Sequence, residues 1–100
     1  MRKLLLLLFI TSQTIFSGTT GKLSGSVKDS QTGEPLVGAN IIVVGTDYGA
    51  ATNVDGNFVI LNIPPGNYSV KISYIGYQTS LVTDVQIIVD QTTLLPVILT

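Results

Sequence analysis

Five consecutive residues, Asn53-Val54-Asp55-Gly56-Asn57, set three oxygen-bearing side chains at alternate positions around a glycine, and the first question is what chemistry they could do. An EF-hand calcium loop reads D-x-[DN]-x-[DN]-G and closes on a bidentate Glu at its twelfth position. With the invariant glycine set on Gly56, Ala51 falls at the first ligand position, Asn53 at the third, Asp55 at the fifth and Asn62 at the twelfth. The first ligand and the closing carboxylate are both missing. One carboxylate is too few for a hard dication, so no metal ligand is assigned. Asp-Gly between two β-rich runs is instead a hairpin signal. Gly accepts φ > 0, and Asp, Asn53 and Thr52 can bond to nearby backbone.

Other candidates are weaker. Asp29 and Glu34 flank one loop, yet nothing in their spacing sets them at a catalytic separation, and Glu34 before Pro35 suits an exposed turn. Tyr48, Tyr74 and Tyr77 could form an aromatic platform, or pack at the core margin with wet hydroxyls. Asn67-Tyr68-Ser69 fits a glycosylation sequon but reads as a turn leading into a strand. The chain has no His and no Cys. That removes His general acid/base chemistry, Ser-His-Asp and Cys-His triads, His- or Cys-ligated metals and disulfides. No catalytic, cofactor-binding or metal-binding residue is assigned, no cofactor is expected, and an enzyme is not.

The elements that must position these residues follow from patterning. The 100 residues are 45% hydrophobic and 11% charged, enough for one small folded domain. The N-terminus carries Arg2 and Lys3, an apolar run Leu4 to Ile10, then small and polar residues from Ser17 to Gly21. This is the layout of a secretory signal peptide. The run is too short to span a bilayer, and cleavage is expected between Ser17 and Gly21. Residues 1–20 are read as the leader and 21–100 as the mature domain. Three lysines then face six acids, a net charge of −3. No Lys/Arg stripe is present to neutralise phosphates, so no nucleic-acid partner is expected.

From Lys22 the chain alternates short β-rich runs with turn signals. Gly38 to Gly45 is a continuous apolar strand. Tyr68, Val70, Ile72 and Tyr74 alternate against Ser69, Lys71, Ser73 and Ile75. Pro96 in the last run places that strand at a sheet edge. About seven strands and no helix beyond the leader predict an all-β, seven-stranded antiparallel Greek-key sandwich. Ile42, Val44, Ile75 and Ile88 are outer apolar positions that would form a patch if left uncovered.

The order of these signals resembles the carboxypeptidase regulatory-like domain. The resemblance rests on Gly25, Val27 and Asp29; Thr32 to Leu36; Gly38 to Asn40; Gly45-Thr46; Thr52 to Phe58; Pro64 to Tyr68; and Ser73 to Tyr77. It covers roughly Leu23 to Leu99. It implies a transthyretin-like β-sandwich without an active site of its own. In the placement this order is similar to, a signal peptide and then this domain precede the plug and barrel of a TonB-dependent outer-membrane receptor. The expected role is therefore an exported, non-catalytic accessory domain of the cell envelope. It would contact protein domains of the same or another envelope protein, and meet the membrane only through an attached domain. The alternative is a stand-alone periplasmic or secreted module for a glycan or a protein. For the accessory domain, loops at one end, including Asp29 to Pro35 and Asn53 to Asn57, are expected to be the variable contact surface.

Overall fold

The computed structural model describes residues 19–100, and the expectation of a leader over 1–20 falls almost wholly outside the described residues. Seven strands follow in order: β1 Gly21–Asp29, β2 Asn40–Val43, β3 Gly49–Ala51, β4 Asn57–Ile63, β5 Gly66–Ser73, β6 Ser80–Ile87 and β7 Thr92–Leu99. They form two sheets, ordered β4-β1-β7 and β3-β2-β5-β6. The architecture is the seven-stranded β-sandwich expected from the pattern.

The expected antiparallel pairing needs one correction. β1 and β7 run parallel, in register from Lys22 opposite Thr92 to Asp29 opposite Leu99, while the other pairings are antiparallel. Alternation records which face a residue takes and says nothing of strand direction. A parallel pair needs a long connection rather than a turn, and here five intervening strands supply it. The turn before β7 brings the chain back to the start of β1, where Asp90 N–H donates to Thr20 C=O and Lys22 N–H to Gln91 C=O.

The core fills the space between the sheets. Leu23 and Val27 from β1, Ile41 and Val43 from β2, Ile63 from β4, Val70 and Ile72 from β5 and Leu99 from β7 are essentially without solvent contact. Gly25, between Leu23 and Val27 on the inward side of β1, lies opposite Phe58 of β4. The Phe58 ring takes the place a side chain would need: a Cβ on Gly25 would stand 2.7 Å from Phe58 Cζ and would also strike the Leu95 carbonyl. With no disulfide possible, this packing carries the domain.

Two bulges set which side chains reach that core. In β4 the register shifts between Gly21 and Leu23, and Asn62 adopts φ 57°. Ile60 and Ile63, three residues apart, are therefore both buried. In β6 the register shifts opposite Tyr68 to Val70, and Asp84 adopts φ 56°. Asn and Asp tolerate this left-handed conformation better than other non-glycine residues, because their short polar side chains bond locally.

β7 is an edge strand, as Pro96 requires. The carbonyls of Gln91 and Leu99 accept from Lys22 N–H in β1 and from Ser30 N–H just past its end, so the odd-numbered residues of β7 turn their backbone groups toward β1. The even-numbered ones, Pro96 among them, face the open edge, where a missing N–H costs no ladder bond.

Candidate interaction surface

Asn53 to Asn57 is a turn, built as its residue types suggested. Asn53 Oδ1 accepts from Asp55 N–H at 2.9 Å and Asn57 N–H at 3.0 Å, and Gly56 N–H donates to Asn53 C=O at 2.9 Å. Gly56 has φ 75°, and a Cβ there would sit 2.6 Å from Pro35 Cβ. The expected hairpin is corrected, however. β3 belongs to one sheet and β4 to the other, so the turn carries the chain across the sandwich. Asp-Gly specifies a reversal, and the partner of each flanking strand is decided elsewhere. Among the described residues, no three His, Cys, Asp or Glu side chains are grouped closely enough to hold a metal ion.

Thr52, just before the turn, is a buried polar side chain. Its hydroxyl donates to Leu36 C=O at 2.5 Å and accepts from Ala39 N–H at 2.8 Å. Its own backbone bonds Ala39 C=O and Gly38 N–H. One residue thereby clamps the crossing from the Asp29 loop into β2.

The Asp29 loop is closed by its first residue. Asp29 Oδ1 accepts from Gln31 N–H at 2.7 Å and Thr32 N–H at 3.0 Å, and Oδ2 accepts from the Tyr77 hydroxyl at 2.5 Å. Both carboxylate oxygens are thus engaged in closing the loop and in holding Tyr77. The Tyr77 hydroxyl, then the Thr32 and Gln31 amides, hold the Asp29 carboxyl below the usual range. The same bond pushes the Tyr77 hydroxyl up.

The structure brings the two predicted contact loops to one end of the sandwich. Pro35 packs beside Gly56, and the Tyr74 to Gln78 turn joins them through Tyr77 and through Gln78 N–H on Thr100 C=O. Tyr74 and Tyr77 stack at 5.6 Å with a 57° tilt. Tyr48 lies at the opposite end, beyond Val43, so no platform of three tyrosines forms. The Tyr68 hydroxyl, near the sequon position Asn67, donates to Pro64 C=O at 2.6 Å and closes the β4–β5 turn.

The outer apolar positions singled out from the sequence do not form one patch. Ile42 is half-buried, Val44 and Ile88 sit at one end, and Ile75, 89% exposed, projects at the other. A larger apolar surface was missed. Val59, Leu61, Leu94 and Ile98 are exposed together on the outer face of the β4-β1-β7 sheet. Its signal was present in Leu94 to Leu99, where an unbroken apolar run on an edge strand must turn half its side chains outward.

What these residues define is a β-sandwich whose conspicuous polar groups close turns and clamp loops. Residues 22–100 match the carboxypeptidase regulatory-like domain, and the chain belongs to that family. It is 50% identical over 56 residues to the TonB-dependent receptor SusC of Bacteroides thetaiotaomicron, covering 56% of this chain and 5% of that receptor. It is 40% identical over 57 residues to the TonB-dependent receptor P3 of Formosa agariphila, covering 57% of this chain and 6% of that one. The chain therefore spans about one-twentieth of the length of these relatives. Among solved structures it is similar to a chain of a type II Cohesin-X-Dockerin complex from Acetivibrio cellulolyticus. The TM-score is 0.67, at 26% identity, covering 79% of this chain and 56% of that one. A second interface mutant of the same complex gives a TM-score of 0.68.

Proposed function

We propose that this domain is a non-catalytic accessory module of an exported envelope protein, the N-terminal extension of a TonB-dependent outer-membrane transporter. It acts by surface contact. The observation that carries this reading is the 50% identity to a TonB-dependent receptor within a family matched over residues 22–100. The site supports it. Asp29, Thr52, Asn53 and Tyr77, the residues that chemistry would have recruited, spend their polar atoms on the backbone or on each other. The leader read from residues 1–20 supplies the route of export.

The second reading is a stand-alone module for a protein partner or a glycan. Likeness to a chain from a protein–protein complex favours a protein partner. The two readings separate in one measurement. Lys71 is the last basic residue of the chain, so trypsin releases a peptide that begins at Ile72. In the outer-membrane fraction of source cells, that peptide running on beyond Thr100 supports the transporter reading. The same peptide ending at Thr100, in the soluble fraction, overturns it.

A further inference from the structure

We propose that the outer face of the β4-β1-β7 sheet is a docking gutter for an acidic amphipathic α-helix of a neighbouring protein segment. The inference rests on the accessory role proposed above and names its surface. Along β1 the outward residues are Lys22, Ser24, Ser26 and Lys28, alternating with the buried Leu23 and Val27. Ser24 lies opposite Val59 on one side and Leu94 on the other, and Ser26 lies opposite Asn57 and Pro96. Short hydroxyl side chains thus form the floor, and taller aliphatic ones the walls. Leu94 is 73% exposed, and the groove between the walls measures about 490 Å³. The outer face of the other sheet is more polar, with Asn40 opposite Ser73 and Asn67 opposite Gln86, and carries one aliphatic row, Ile42 and Leu81 on either side of Lys71.

Shape and charge select the occupant. The wall strands stand two strand spacings apart, about 9.5 Å, so a helix about 10 Å across rests on the wall tips and lowers one row of its side chains toward the serine floor. Lys22 and Lys28 close the two ends about 20 Å apart, the length of about 13 helical residues. Two of the three lysines in residues 19–100 are on this face. None of the six acids is, although the domain is acidic as a whole. Asp90 comes near from the β6–β7 turn beyond one end of the face, and Glu34 and Asp55 belong to the loops that border the Lys28 end, beside Pro35 and Gly56. A helix with an aliphatic stripe and carboxylates toward both ends satisfies walls and lysines together. A second copy would bring lysines and serines against lysines and serines. A flat lipid surface would leave the serine floor unfilled. Strand addition at the β7 edge is obstructed by Pro96, which offers no N–H.

The test is site-specific photo-crosslinking of the full chain in source cells. The photoreactive residue replaces Leu94 or Val59, with Ile75 and Leu81 as comparison sites. All four side chains are exposed, so folding is preserved, and circular dichroism checks it. The expected product joins Leu94 and Val59 to a protein segment with aliphatic residues at helical spacing and Asp or Glu toward both ends. Its yield falls roughly three- to tenfold with Lys22→Glu plus Lys28→Glu and is unchanged by Lys71→Glu. Products with lipid, with a second copy or with a basic segment overturn the proposal, as does a yield indifferent to the charge reversal. Crosslinks from Ile75 with none from Leu94 overturn this face and leave the accessory role standing. No crosslink from any site overturns both.

Discussion

The Tyr77 hydroxyl donates to Asp29 Oδ2 at 2.5 Å, joining positions 48 residues apart in sequence. Asp29 ends β1 and Tyr77 follows β5, so this bond ties the loop end of one sheet to the loop end of the other. It also links stability to pH at both extremes. The folded-state pKa of Asp29 is lowered, so its contribution is present above the ordinary value of 3.8 and is lost as pH falls below it. The folded-state pKa of Tyr77 is raised, so its contribution is present below 10.0 and is lost as pH rises beyond it. Melting temperature measured from about pH 2 to about pH 11 should show a plateau with two falling limbs. Tyr77→Phe should flatten the alkaline limb and make the acid limb shallower. An unchanged profile would contradict the link.

Gly25 and Phe58 predict a packing conflict. Gly25→Ala places a methyl group within the Phe58 ring, and the fold should lose about 1–3 kcal/mol in urea unfolding. The double variant with Phe58→Leu should cost less than the two single changes added together, because the shorter side chain relieves the clash. Additive costs would mean that the ring and the glycine do not compete for the same space.

Thr52 is a test of polar satisfaction. Thr52→Val keeps the shape but leaves Leu36 C=O and Ala39 N–H without their partner. The expected loss is about 2–4 kcal/mol. Thr52→Ser, which keeps the hydroxyl, should lose far less. Equal losses would make the methyl group the important part of the residue.

Asn62 and Asp84 test the bulges. Each holds a left-handed backbone conformation, so Asn62→Ala and Asp84→Ala should each destabilise by about 1 kcal/mol, with glycine at either site close to neutral. If alanine were tolerated as well as glycine, backbone conformation would not be what selects these residues.

These positions also mark what the sequence could and could not convey. Alternation in β5 set Val70 and Ile72 on one face, which the structure buries, and Pro96 assigned β7 to an edge, because face and donor count are local properties. The bulges were not legible. Ile60 and Ile63 violate a period of two, and only a partner strand fixes where the extra residue goes. The parallel direction of β7 and the crossing at Asp55-Gly56 were hidden for the same reason. Of the interaction surface, the meeting of the Asp29 and Asn53 loops was expected. The apolar face was missed because Val59, Leu61, Leu94 and Ile98 come from two strands that only the sheet order sets on either side of β1.

The central claim is that the domain works by contact rather than chemistry, and one comparison in source cells tests it most directly. Residues 22–100 are removed in frame from the protein that carries them, or only Glu34→Gln and Asp55→Asn are introduced, neutralising carboxylates that, unlike that of Asp29, are not seen to bond backbone among the described residues. Growth that depends on that envelope protein is then measured at matched protein levels. The account predicts that removal impairs growth while the neutralised variant grows like the unaltered strain. A neutralised variant as impaired as the removal would show these carboxylates at work and would contradict it.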